Sequence, residues 1–157
     1  MRRLRDLRRA NRARRLEYQQ RYYRRLLEDR RRLAQARYYD SLIYDYRYNR
    51  GGNYYYTSSY GAEMLRRAVR LGYEEGYRAG LADRYDSWRY DYRDTYAYQD
   101  ASYGYDSYYV GIGEYRHYFR EGFRRGYEDG YYSRNRYGRD YNLFENIVRG
   151  IISIFRF

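Results

Sequence analysis

The residues able to do chemistry in this chain are few, and their spacing argues against catalysis. His117 is the single histidine. It stands between Arg116 and Tyr118, with Arg120 and Glu121 one helical turn further on. An imidazole among cations reads as a surface residue, and zinc would need a second histidine or a cysteine that the chain lacks. Two carboxylate pairs, Glu74–Glu75 and Glu128–Asp129, are adjacent in sequence. Neighbouring residues on a helix point to different faces, so neither pair forms an acid/base dyad. Arg78, Arg124 and Arg125 are close enough in sequence to neutralise them. Gly111-Ile112-Gly113 before a helix offers backbone amides to an anion, but the lysine and spacing of a phosphate loop are missing. The expectation is that the protein is not an enzyme and holds no metal or cofactor.

What remains is arginine interleaved with tyrosine: Arg21-Tyr22-Tyr23-Arg24-Arg25, Arg37-Tyr38-Tyr39, and Tyr44 to Arg50. Arginine neutralises phosphates and tyrosine stacks on bases, which suits single-stranded nucleic acid. The same side chains attract each other by cation–π contact, so the pattern also predicts self-association.

These residues sit in an unusual background. The 157 residues include 30 Tyr and 33 Arg, with no Cys and no Pro, and the net charge is +12. Aliphatic residues are scarce, so the core must be built from tyrosine rings, each with a hydroxyl that needs a partner. Residues 1–40 carry most of the excess charge, and such a block on a nearly neutral body predicts a polyanionic partner. The candidate contacts are Arg8, Arg9, Arg12, Arg14, Arg15, Arg21, Arg24, Arg25, Arg31 and Arg32. Without cysteine there are no disulfides. No apolar stretch follows the basic N-terminus as in a signal peptide, and no run has the ~20 apolar residues of a membrane span. The default location is therefore cytoplasmic, and export by a non-classical route stays compatible with the sequence.

Along the chain, residues 1–40 form an Arg-rich helical arm, with Leu4, Leu7, Leu26, Leu27 and Leu33 as a thin apolar stripe. Such a helix needs a partner. Residues 41–60 form a Tyr-rich connector, read as a loose hairpin around Gly51-Gly52 or as low-complexity chain. Residues 61–141 form a tandem repeat body, with repeats at 61–84 and 111–134 and an irregular Tyr-rich link between them. That link is expected to order on packing, with strand pairing a weaker alternative. Residues 142–157 place apolar side chains at 143, 144, 147, 148, 151, 152 and 155, the pattern of a short amphipathic helix. It docks on its own body or contacts a membrane surface or another subunit.

The repeat itself is explicit. GYEEGYRAG (72–80) and GFRRGYEDG (122–130) are offset by 50 residues. Gly72, Gly76 and Gly80 line one helix row, and Gly122, Gly126 and Gly130 line its counterpart. Beside them run aromatic ridges that include Tyr73, Tyr77, Phe119, Phe123 and Tyr127. A glycine inside a helix costs about 1 kcal/mol relative to alanine. Six cost roughly 6 kcal/mol, comparable with the whole stability of a small domain. Close backbone approach and stacked rings must offset that. The fold expected is mainly α: a long basic N-terminal helix, two Gly-striped repeat helices packed as a hairpin, irregular connectors and a short C-terminal amphipathic helix.

Tyr115 to Tyr132 (YRHYFREGFRRGYEDGYY) and Ala68 to Arg84 (AVRLGYEEGYRAGLADR) resemble a loose group of uncharacterised bacterial proteins rich in Tyr, Arg, Gly and Asp. The resemblance spans residues 61–138 and implies repeated helical segments, with no activity attached. Two functions are then expected. The first is a structural protein that self-assembles into a homo-oligomer, filament or surface layer by mating ridge and groove between chains. The alternative is a polyanion-binding protein, for RNA or DNA without sequence specificity, acting through the N-terminal arginines.

Overall fold

A computed structural model of the chain describes residues 13–34, 44–105, 110–133 and 141–156. It is mainly helical, as the composition and spacing predict, and it adds a small three-stranded sheet. In chain order the elements are α1 (Ala13–Ala34), β1 (Tyr46–Arg50), β2 (Asn53–Thr57), α2 (Ser59–Tyr85), a 3-10 turn (Tyr92–Asp94), α3 (Tyr96–Asp100), α4 (Ile112–Tyr131), α5 (Tyr141–Ile151) and β3 (Ile154–Arg156).

The centre of the molecule is the pair α2–α4. Ser58 starts α2, its hydroxyl accepting from the Gly61 amide at 3.0 Å. That is the usual role of a serine just before a helix. Both glycine stripes face inward. Gly72, Gly76 and Gly80 abut the backbone of Phe119, Phe123 and Tyr127, while Gly122, Gly126 and Gly130 abut Val69, Tyr73 and Tyr77. Partner numbers rise together, so the two helices run parallel. A hairpin in the strict sense would be antiparallel; here the pairing is as expected, but the link between α2 and α4 crosses back over the pair. The contact is also reciprocal. Subtracting the 50-residue offset, each glycine meets the residue three positions earlier in the other repeat, in both directions. The chain has folded two copies of one motif into a pseudo-two-fold pair.

Aromatic rings supply the bulk. Tyr115, Phe119, Phe123, Tyr127 and Tyr131 stack along α4 at four-residue intervals, with centroids 6.3, 6.5, 6.2 and 5.9 Å apart. All but Tyr131 are buried. The link carries no strand among its described residues; the 3-10 turn and α3 lay Tyr92 and Tyr98 against this ladder instead. Asp, Ser and Gly in that stretch break the period of two that suggested extended chain.

The arm is no free arm. Within α1, Tyr18, Tyr22 and Leu26 are buried. Tyr22 meets Tyr96 and Tyr103 edge-on. Gly104, held at φ +85°, donates its amide to Asp29 (2.9 Å), tying the link to α1. Residues 1–12 of the expected helix, and with them Arg8, Arg9 and Arg12, lie outside the described residues, as do residues 35–43.

β1 and β2 form the hairpin, closed by Gly51 and Gly52 at φ +60° and +85°. Two positive φ values make the two-residue turn that matches strand twist, and glycine meets that demand without strain. The C-terminal segment corrects one expectation. Its helix ends at Ile151, and residues 154–156 become β3, antiparallel to β1, giving sheet order β2-β1-β3. Phe155 continues the helical spacing in sequence, yet β1 offers an open edge whose hydrogen bonds win. Val148 and Ile152 are buried, so this segment docks on its own body.

Candidate functional site

The six glycines are packing residues inside one chain. A Cβ added at Gly76 would lie 2.8 Å from the carbonyl carbon of Phe123, and one at Gly126 would lie 2.8 Å from that of Tyr73. Gly72, Gly80, Gly122 and Gly130 are equally confined by facing backbone. Each glycine Cα–H therefore faces a carbonyl of the other helix, a geometry that recurs where helices cross closely. The groove predicted for mating between chains is filled by the chain's own second repeat.

Around this seam lie buried carboxylates that the sequence reading passed over. Glu75, Asp83 and Asp129 are at most 2% exposed. Each follows an interface glycine by three residues (Gly72, Gly80, Gly126), which places it on the packed face; that spacing was the signal available. Each is satisfied by a tyrosine hydroxyl. Tyr18 donates to Glu75 (2.9 Å), Tyr127 to Asp83 (2.5 Å) and Tyr73 to Asp129 (2.6 Å). The repeats specialise here. The pseudo-two-fold mate of the Tyr73–Asp129 pair is Phe123–Ala79, where hydroxyl and carboxylate are both absent. Removing both partners leaves nothing unsatisfied, whereas removing one would.

Arginines complete the network. Arg15 reaches Asp83 at 3.1 Å and the Asp94 carbonyl at 2.6 Å, and its own amide donates to Asp86 (2.8 Å). Arg25 reaches Glu75 at 2.6 Å, joined by Arg78 at 3.2 Å. Arg125 approaches Asp129 at 3.4 Å. Burial pushes the Glu75 carboxyl above its ordinary range, with Arg25 and Arg78 pulling back. Burial likewise raises Asp83, opposed by the Tyr127 hydroxyl and Arg15. The tyrosines respond in the same sense: burial first, then the adjacent carboxylate, holds Tyr18, Tyr22, Tyr73 and Tyr127 well above the usual phenol range. The network is an internal strut that ties α1 and the link to the α2–α4 pair.

The predicted polyanion contacts therefore divide. Arg15 and Arg25 turn inward onto carboxylates. Arg14, Arg21 and Arg24 are exposed, Arg14 resting on the Tyr85 ring at 4.4 Å. Arg31 and Arg32 lie on α1, and their side chains are outside the described residues.

His117 packs edge-on against Tyr118 at 4.9 Å, and burial, then Arg50, lowers its pKa. At the start of α4, Glu114 accepts from Tyr48 (2.6 Å) and pairs with Arg50, so the helix end expected to offer amides to an anion already holds a carboxylate. A cleft of 730 Å³ between α4, α5 and the link is lined by Tyr90, Tyr92, Glu121, Arg124, Arg125 and Glu128 among others, its charges balanced. Among the described residues no group of three potential ligands could hold a metal, and no helix is long and apolar enough to cross a membrane.

The other surface that the sequence reading missed is the outer face of the sheet. Its inner face is anchored by Tyr48, buried edge-on against Tyr118. Burial pushes the Tyr48 phenol up to about 12. The outer face carries Arg47, Asn49, Tyr54, Tyr56 and Phe155, all exposed. Searched against protein-family models, the curated proteins and the solved structures, the chain matches none of the three.

Proposed function

We propose that the protein is a non-enzymatic polyanion-binding module whose natural class of ligand is nucleic acid, bound without sequence specificity. One observation carries this reading. Folding buries five carboxylates (Asp29, Glu75, Asp83, Asp86 and Asp129) and no arginine whose side chain is described. Arg15, Arg25 and Arg125 pair with three of them, so the net charge of +12 is carried by arginines nearer the surface, Arg14, Arg21 and Arg24 of α1 among them. A surface of this kind attracts phosphate backbones through counterion release and steers them at a distance.

The reading predicts that affinity for a single-stranded oligonucleotide falls steeply as salt rises. Replacing Arg14, Arg21 and Arg24 by Gln should flatten the slope of log K against log salt by about 2, given about 0.7 per phosphate contact on single strands. These three arginines are exposed, so the fold should survive. Deleting residues 1–40 would be a poor test, because it strips Tyr22 and Leu26 from the core. Binding that ignores salt would sink the proposal.

A second reading, self-assembly, keeps one supporting observation. Because the α2–α4 contact is reciprocal between two copies of one motif, α2 of one chain can meet α4 of another through the same contacts. Exchange of this kind makes dimers at little cost and chains of molecules where closure fails.

A further inference from the structure

We infer that the outer face of the β2-β1-β3 sheet is a stacking platform for unpaired nucleic-acid bases. The inference rests on the polyanion-binding reading and names the part of the ligand that this face would grip. Register puts Tyr56, Arg47 and Phe155 directly opposite one another in a row across the three strands, with Arg47 at the centre. Asn49 and Tyr54 form the next row on the same face. Tyr54, Tyr56 and Phe155 are 59%, 58% and 62% exposed.

Exposure of three large rings on one small sheet is unusual unless something covers them. Charge selects the occupant. The Arg47 guanidinium lies over the Tyr54 ring at 5.1 Å, and no carboxylate among the described residues pairs with it. A guanidinium beside a ring offers both a face for a base and donors for a phosphate. Tyr54 and Tyr56, two residues apart on one strand, stand about 7 Å from each other along it. A single strand laid across the face can therefore set separate bases on separate rings. Sheet faces bearing exposed aromatics recognise single strands in this way, with arginine adding cation–π contact. A duplex hides its bases inside the stack and cannot use the rings. A second copy of this chain is disfavoured as the occupant, because Arg47 would face Arg47.

The test uses the full chain, nuclease-treated, with three probes at one salt concentration: a 20-nucleotide oligo(dT), a 20-base-pair duplex and inorganic polyphosphate. The double variant Tyr56→Ala/Phe155→Ala should weaken oligo(dT) binding by about tenfold per ring, while polyphosphate binding and the salt slope stay unchanged. Tyr56→Phe, which keeps the ring, should bind like the parent. Circular dichroism confirms that the variants fold, and Arg47→Gln gives a further probe that removes no ring. Equal loss for oligo(dT) and polyphosphate would overturn the platform. So would unchanged oligo(dT) binding by the double variant, and the polyanion reading would still stand in that case. A parent that binds none of the three probes overturns the reading itself. If the parent is a dimer by light scattering and the double variant a monomer, the face belongs to a second copy and the inference is wrong.

Discussion

Gly126→Ala should destabilise the protein by about 3 kcal/mol or more, at or beyond the upper end of what overpacking usually costs. In an ordinary helix interior the same change stabilises by about 1 kcal/mol. The sign reverses because the new methyl group would lie 2.8 Å from the Tyr73 carbonyl carbon and 2.9 Å from its Cα. Those atoms are backbone, so no rotamer change relieves the clash. The helices must separate, and the whole reciprocal seam opens with them. Gly76→Ala, whose added Cβ meets Phe123 in the same way, should behave alike, and the double variant should not fold. Gly150 supplies the control: nothing lies within 4 Å of its virtual Cβ. Gly150→Ala should be neutral or stabilising by up to about 1 kcal/mol. Urea unfolding followed by circular dichroism measures all three. Equal midpoints for the Gly126 and Gly150 variants would show that the close parallel contact does not hold the fold.

Alkaline unfolding is the second large effect. Tyr18, Tyr22, Tyr73 and Tyr127 are buried and donate to Glu75, Asp100, Asp129 and Asp83. Ionising any of them would set a phenolate against a carboxylate without water. Their folded-state pKa values are raised, so their contribution is fully present below the unfolded phenol value near 10. It is lost as pH climbs through the raised values. Each group that stays protonated in the fold while ionising in the unfolded chain removes about 1.4 kcal/mol per pH unit. Four together remove about 5 kcal/mol per unit, against a typical total of 5–15. The fold should therefore collapse within roughly two units above pH 10. The last rise in tyrosinate absorbance, from the buried rings, should coincide with the loss of far-ultraviolet ellipticity. Complete ionisation of the tyrosines with the helices intact would contradict the burial of these hydroxyls.

The parts legible in sequence were those whose signal is periodic and local. Glycine at every fourth position with rings beside it identified α2 and α4 and their mutual packing. The Gly51-Gly52 pair marked the hairpin turn. Direction was not legible, because a glycine stripe packs as well in either sense; the long link and the reciprocal offsets decide for parallel. The arginines of α1 look alike in sequence, yet Arg15 and Arg25 serve buried acids while Arg14, Arg21 and Arg24 face water. Only the docking angle of α1, set by Tyr18, Tyr22 and Leu26, sorts them. Phe155 was read as helical because its spacing fits. Its strand depends on β1, more than a hundred residues away, and a tertiary partner of that kind leaves no local mark. The outer sheet face was hidden for the same reason, since the row Tyr56–Arg47–Phe155 is completed only by β3 from the far end of the chain.

The central claim is that the glycine seam closes within the chain and leaves a basic surface for a polyanion. Light scattering after size exclusion, on nuclease-treated protein before and after adding a single-stranded oligonucleotide, tests it most directly. The account predicts a monomer that gains mass only when the oligonucleotide is returned, and loses it again at high salt. A large or polydisperse mass that persists without nucleic acid would contradict it and make assembly by exchanged repeat helices the primary function.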